Sequence, residues 1–397
     1  MTSDKRIAVC GNEGEKVRSD CRITLELQDN GGIKIDLRSK VKSMYGDHME
    51  ALLREVLGFY GIRHARVTVS DSGSLDFVLT ARLEAAVRKL VPDERRAFLP
   101  EMLSRNLYPT KKDAFRISRL YLPGNTPALM LNAGIHRPDG VILDLEDSVA
   151  PDKKAEARIL VRNALRQVDF YGAERMVRIN PLPAGLEDLQ EVIPHHVHMV
   201  LVPKAEDPDD LRRIDSYIKE IQQQAGEEGT VYLMPIIETA LGVENAFLLA
   251  RATPAVAAMA IGLEDLTADL GVPRTAEGTE TFYARTRLVN ACKAAGIQPI
   301  DSVFSDIDDM EGLEATARRS RALGFEGMGC IHPRQIRVIH KAFTPTAEEV
   351  EKARRIMEAF REAREKGLGV VSLGSKMIDP PVVKRAERIL QLAERKK

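Results

Sequence analysis

The stretch "MPIIETALG", residues 234–242, is an apolar run of strand type that ends on Glu238. A carboxylate at the buried end of a strand is costly unless a partner neutralises it. The same pattern, an apolar run closed by acid, recurs along the chain. Asp144, Glu146 and Asp147 close "GVILDLED", Glu264 and Asp265 close "AAMAIGLED", and Asp301 and Asp306 lie in "IDSVFSD". Two cations are interleaved with them, Arg178 in "VRINP" and Lys204 in "HMVLVPK". Carboxylates gathered at one place must be protonated or bridged by a cation. With acid ligands and no Cys or His cluster, the fitting ion is Mg²⁺ or Mn²⁺. Glu238 and Asp265, which end consecutive strands, are the expected ligands. Each also suits the N-terminus of a following helix, where an acid serves as a cap. Arg178 reads either as a fixed cation facing a substrate oxygen or as a structural ion pair with one of these acids. Lys204 stays open between neutralising the acids and ending its strand.

These residues need elements that bring them to one place. Eight short apolar runs, from "ISRLYLPG" to "GMGCIHP", alternate with helical segments over residues 114–343. Near-continuous apolar runs suit parallel strands buried on both faces. Eight such units predict a (β/α)₈ barrel, in which strand ends and the loops after them form one mouth. A doubly wound open sheet is the alternative. His332 in "IHPRQI" reads as a residue that closes the barrel. Residues 344–397 extend past the eighth unit with a charged helix, "LGVVSLGSKMIDPP" and a final helix, an extension or lid beyond what closure needs. Residues 1–92 read as a small α+β domain, with "CRITLELQD" and "GIKIDLRS" as paired strands around an Asn30-Gly31-Gly32 turn. "ARVTVSDSGSLDFVLTARLEAAVRKL" reads strand, turn, strand, helix, and residues 93–113, charged and proline-bearing, read as a linker.

The bulk numbers exclude several function classes. The 397 residues carry a net charge of −1, so nothing pulls the chain toward nucleic acid or a membrane surface. Trp is absent, which argues against a base- or sugar-stacking surface. No apolar stretch approaches the roughly 20 residues of a membrane helix, and no signal-peptide pattern opens the chain. The four cysteines lack CxxC spacing and read as core residues of a cytoplasmic protein.

An ordered set of stretches, "YLPGNTP", "DLEDSV", "VRINP", "PIIETALGV", "GLEDLTADLG", "GTETFYAR", "GFEGMGCIHPRQI" and "GLGVVSLGSKMIDPP", resembles the citrate lyase beta subunit and its malyl-CoA and citramalyl-CoA lyase relatives. The resemblance implies a TIM barrel and Mg²⁺-dependent reverse Claisen cleavage of a 3-hydroxyacyl thioester, with citryl thioester as the expected substrate. It implies Glu238 and Asp265 as metal ligands, Glu238 also meeting substrate, and Arg178 as a catalytic and substrate-binding cation. Asp379 in "MID" would be an acid/base reaching a neighbouring subunit, which implies a homo-oligomer, although the residue also suits a helix N-cap. Lys154, Arg158 and Arg116 are the expected contacts to a CoA-type carrier. Arg116 and Arg119 in "FRISRLYLPG" flank the family's arginine-serine position and depart from it. The N-terminal domain resembles the acyl-carrier gamma subunit of citrate lyase, with an acyl-transferase subunit as an implied partner. The attachment serine of that family aligns here with Arg18, which cannot form the phosphodiester, and Ser19 stands one residue later. Substrate carried covalently on this domain and free CoA thioester are therefore both open. A non-catalytic carrier or assembly subunit is the reading of another class.

Overall fold

The computed structural model describes residues 6–365, 371–373 and 376–394. The N-terminal strands are β1 (Ile7–Gly11), β2 (Cys21–Leu27) and β3 (Ile33–Ser39), followed by α1 (Lys42–Phe59), β4 (Ala65–Asp71) and α2 (Asp76–Leu90). Gly61, at φ 71°, turns the chain out of α1 in the left-handed region that glycine adopts without strain. The sheet order is β1-β2-β4-β3. This corrects the expected hairpin: β4 is inserted between β2 and β3, antiparallel to the first and parallel to the second. The segment "SLDFVL", expected as a second strand, instead opens α2. Its residues from Phe77 to Val87 are buried on every side, by the sheet on one face and the barrel on the other. A helix covered all round loses the polar stripe that would distinguish it from a strand.

The linker contains one turn of 3₁₀ helix at Ser104–Asn106. Eight parallel strands then close into a barrel: β5 (Ser118–Pro123), β6 (Gly140–Asp144), β7 (Glu174–Arg178), β8 (Met199–Val202), β9 (Tyr232–Ile237), β10 (Ala258–Ile261), β11 (Gln298–Asp301) and β12 (Gly327–Cys330). Six fall within their apolar runs, while β7 begins one residue and β11 two residues ahead of theirs, and the fold is a TIM barrel. Helices wrap the outside, among them α3 (Pro127–Leu131), α4 (Lys154–Gln167) and α5 (Gly185–Val192). All four cysteines are free and buried. No helix among the described residues is long and apolar enough to cross a membrane.

The N-terminal domain is docked on α4 by buried ion pairs. Arg162 of α4 donates from both terminal nitrogens to Glu84 of α2, each at 2.8 Å, and also meets Glu191. Arg88 joins Glu84 and Glu191 at 2.6 and 2.9 Å. Nearer the mouth, Arg82 holds both oxygens of Asp20 at 3.0 and 2.8 Å and reaches Asn125 of the barrel at 2.6 Å.

The extension packs at the far end of the barrel from the mouth. It comprises helices Ala347–Glu365 and Pro380–Glu394 and a two-stranded ribbon of Val371–Leu373 and Lys376–Ile378. Arg388 pairs with Glu326 at 2.7 Å and lies over the ring of Phe115, residues that precede β12 and β5. Arg321 of the barrel pairs with Glu349 at 3.0 Å.

Candidate active site

Strand alternation turns Arg119, Tyr121 and Pro123 of β5 to the barrel interior. Together with Asp144, Arg178, Glu238, Ala260, Asp265 and Gly329 they line a cavity of about 430 Å³ at the mouth.

Arg178 ends β7 directly beside Asp144, which ends β6. Its Nε and Nη2 donate to the two Asp144 oxygens at 2.6 and 2.8 Å, and its Nη1 lies 2.8 Å from Glu146 and 3.5 Å from Asp147. The guanidinium stacks over Tyr121 at 5.3 Å. Burial opposes its charge, yet the Asp144 carboxylate holds its pKa above the ordinary arginine value. Reciprocally, Arg178 outweighs the burial of Asp144 and keeps that carboxyl below its usual range. Glu146 is pushed up to about 7 by burial and by a shared hydrogen bond with Asp147, against the pull of Arg178. The cation is thus fixed in one orientation and still borders the cavity.

Glu238 follows β9 and is 3% exposed. Its Oε1 accepts the Lys204 backbone N–H at 2.7 Å. Lys204 adopts φ 48°, a left-handed turn after β8, and its Nζ lies 3.6 Å from Glu146. The other face of Glu238 lies against Gly262, where an added Cβ would stand 2.5 Å from Oε2. A side chain at Gly262 would push the Glu238 carboxyl out of this position, so glycine lets the turn after β10 pass beside it. Burial pushes Glu238 up to about 7, the Lys204 N–H counters that, and the charges of Asp265 and Glu146 raise it further.

A divalent ion fits this donor set. Among the described residues no hydrogen-bond donor meets Oε2 of Glu238 or the carboxylate of Asp265. Nor do the described residues form a ready-made cage of three or more His, Cys, Asp or Glu. Two open carboxylates in one cavity, the rest left to water and substrate, is the way Mg²⁺ is commonly held.

Other expected residues are engaged with protein partners or lie away from the cavity, although Glu264 and Asp301 still border it. Arg116 is spent at the opposite end of the barrel: 1% exposed, it is bound by both oxygens of Glu174 at 2.7 Å and by Gln298. It cannot meet a carrier at the mouth. Arg158 pairs on the outer face with Asp188 and Glu187 at 2.8 and 3.0 Å. Lys154 donates to the carbonyls of Leu145 and Glu146 at 2.8 and 2.6 Å, which braces the loop after β6. Asp301 is held by Arg285 and Ser320. Glu264 pairs with Arg274. His332 caps the helix that follows β12, accepting from the Arg334 N–H at 3.2 Å. Asp379 does not line the cavity of its own chain, and its Oδ1 accepts the Val382 N–H at 3.2 Å as a helix cap. Arg119 and Tyr121 were not expected as cavity residues. Period-two alternation in "SRLYLPG" is the signal that places them there.

The family description HpcH/HpaI aldolase/citrate lyase matches residues 117–333, the barrel with its mouth. The chain belongs to the HpcH/HpaI aldolase/citrate lyase family. Residues 8–90 match a second description, malonate decarboxylase delta subunit, an acyl-carrier type. Among the relatives in the barrel family, the citrate lyase subunit beta of Haemophilus influenzae is 40% identical over 282 residues, covering 70% of this chain and 97% of its own length. The L-malyl-CoA/beta-methylmalyl-CoA lyase of Cereibacter sphaeroides is 34% identical over 298 residues, covering 70% and 94%. A solved structure of the Mycobacterium tuberculosis protein CitE, in complex with magnesium, acetoacetate and coenzyme A, matches with a TM-score of 0.59 and 32% identity, covering 72% of this chain and all of that one.

Proposed function

We propose that this member of the family is a Mg²⁺-dependent carbon–carbon lyase that cleaves a 3-hydroxyacyl thioester, taking a citryl thioester to oxaloacetate and an acetyl thioester. The observation that carries the reading is geometric: the open carboxylates of Glu238 and Asp265 share one cavity with the fixed guanidinium of Arg178. The magnesium and coenzyme A of the tuberculosis protein are ligands of the class invoked here.

Glu238 and Asp265 would hold the ion. When bound, it supplies Lewis-acid polarisation and a template for the keto-acid carboxylate and its neighbouring oxygen. The 3-hydroxyl gives its proton to solvent at the open mouth and becomes the keto oxygen as the C2–C3 bond breaks. The electron pair of that bond passes to C2 as a thioester enolate, which then takes a proton. Arg178, pre-oriented by Asp144 and Glu146, faces the oxygen on which charge changes and needs no reorganisation to do so. Asp379 of a neighbouring copy is the proposed acid that protonates C2. That role makes the working enzyme a homo-oligomer.

Two delivery routes follow from the N-terminal domain. Ser19, half-buried at φ 54°, precedes Asp20, which Asn12 and Arg82 tie to Asn125 on the mouth side of the barrel. An arm on Ser19 would start near the mouth, and an acyl-transferase subunit would load it. Free CoA thioester is the second route, favoured by Arg18 at the attachment position, which only folds back on its own loop through the carbonyls of Glu15 and Val17. On that route malyl-CoA or citramalyl-CoA joins citryl-CoA as a candidate substrate.

The test is Glu238→Gln, which keeps the shape and removes the charge. Mg²⁺-dependent cleavage of citryl-CoA and malyl-CoA should fall by about three orders of magnitude or more, with the circular dichroism spectrum unchanged. Wild-type rates in that variant would refute the metal site.

A further inference from the structure

Arg119 lies inside the barrel at the cavity floor with 1% of its surface exposed. Its Nη1 donates to the sulfur of Met234 at 2.8 Å, its Nε has no partner, and among the described residues no carboxylate pairs with the guanidinium. Most other fully buried arginines here are treated differently; the exception, Arg175, lies over the ring of Tyr108 and meets His198 at the other end of the barrel. Arg82, Arg116 and Arg162 each hold a carboxylate through two nitrogens. A buried cation without a counter-charge is expensive, and folds keep one where a ligand completes it. Burial lowers the Arg119 pKa to about 10, so the group still carries its charge at neutral pH. Gly140 on β6 and Gly329 on β12 are its register neighbours, and Gly329 itself borders the cavity.

We propose that Arg119 is a specificity-determining residue that binds a second carboxylate on the keto-acid half of the substrate. The inference rests on the lyase reading above and narrows it to keto acids with two carboxylates. Direction supports the assignment. Glu238, Asp265 and Arg178 stand at the strand ends, where the first carboxylate and its adjacent oxygen would be held. The thioester arm must leave through the open mouth. Only the remaining substituent of the keto-acid half can point down toward β5, where Tyr121 lies beneath Arg178 and Arg119 is deeper on the same strand face. The other residues of that floor, Ile236 and Ala260, are apolar. A methyl or hydrogen there would leave the guanidinium unpaired, whereas a carboxymethyl group would pair it. A site built to hydrogen-bond a group rejects the analogue that lacks it.

Calorimetric titration of the Mg²⁺-loaded full chain with oxaloacetate and with pyruvate tests this without relying on turnover. Wild type should bind oxaloacetate on the order of 10- to 100-fold more tightly than pyruvate, the range of one charged hydrogen-bonded contact. Arg119→Met should bring oxaloacetate down to the pyruvate level, leave pyruvate binding unchanged and melt at or above the wild-type temperature, because it removes a buried charge. Arg119→Lys should keep part of the preference. Equal affinities in wild type, no binding of either acid, or a preference that survives Arg119→Met would each overturn the proposal. The Glu238→Gln variant separates the two readings. If it binds both acids as wild type does, the metal site fails; if it loses both while Arg119→Met leaves the preference intact, only the Arg119 assignment fails.

Discussion

At the residue scale, the buried acids of the mouth set a pH dependence whose sign is fixed. The folded-state pKa of Glu238 is raised to about 7, above its ordinary 4.5. Folding therefore favours its protonated form, and its contribution to stability is lost as pH rises from about 4.5 through 7. The buried histidines His195 and His198 run the other way. Burial lowers them to about 3 and about 4, so they destabilise the fold as pH falls below the ordinary histidine range. A difference measurement isolates Glu238. In chelator-treated protein, the melting temperature of Glu238→Gln minus that of wild type should climb between pH 5 and pH 7.5, and saturating Mg²⁺ should shrink that gap by stabilising wild type alone. A flat difference across that range would mean that Glu238 is not held in a desolvated acidic setting. This acid, Asp265 and Arg178 were legible in the sequence because a charge that ends an apolar run has few places to go. Arg119 was not, because a charge inside such a run resembles an edge residue until closure of the barrel shows which face it occupies. Arg116 misled for the same reason: three residues earlier on the strand approach, it belongs to the opposite end of the barrel.

At the element scale, the seam between α2 and α4 decides what kind of object the N-terminal domain is. Arg162 and Glu84 lie there with side chains 1% and 0% exposed. Removing one partner of such a pair leaves a buried charge behind, which costs about 3–5 kcal/mol, whereas replacing both with apolar groups is close to neutral. Arg162→Met should therefore destabilise by about 3 kcal/mol, the lower end because Arg88 still meets Glu84. The double variant with Glu84→Met should recover most of the loss, since Arg88 and Glu191 remain as a pair. Urea unfolding reads both, and a single variant within 1 kcal/mol of wild type would show that the docked seam is not held in solution. The same seam explains what the sequence concealed. β4 arrives from beyond α1 to separate two strands that a Gly-Gly turn joins locally, and α2 carries apolar residues on all faces because two domains cover it. Most of the barrel strands had less ambiguity, since burial on both faces leaves a largely apolar run, with β5 and β7 interrupted by Arg119 and by Glu174 and Arg175.

At the scale of the whole molecule, each chain holds Arg178 at its mouth while its extension is anchored behind the barrel through Arg388, Glu326 and Phe115. On the proposed reading, the Asp379 of a neighbouring copy completes the site of a chain so arranged. Mixing inactive variants measures this. Asp379→Asn is the right partner for Arg178→Ala, because asparagine still caps the last helix through its side-chain oxygen while losing the acid. Each variant alone should be nearly inactive. In randomly mixed oligomers a site works when its own subunit carries intact Arg178 and the donating neighbour carries intact Asp379. Each condition holds half the time, so about a quarter of the sites should recover, for a dimer or any larger closed ring. Citryl-CoA cleavage after subunit exchange, with mixing verified by differently tagged chains, gives the number. Activity near that fraction places the acid across the interface; none in verified mixed oligomers confines Asp379 to capping its helix and sends the search for the proton donor back to the mouth.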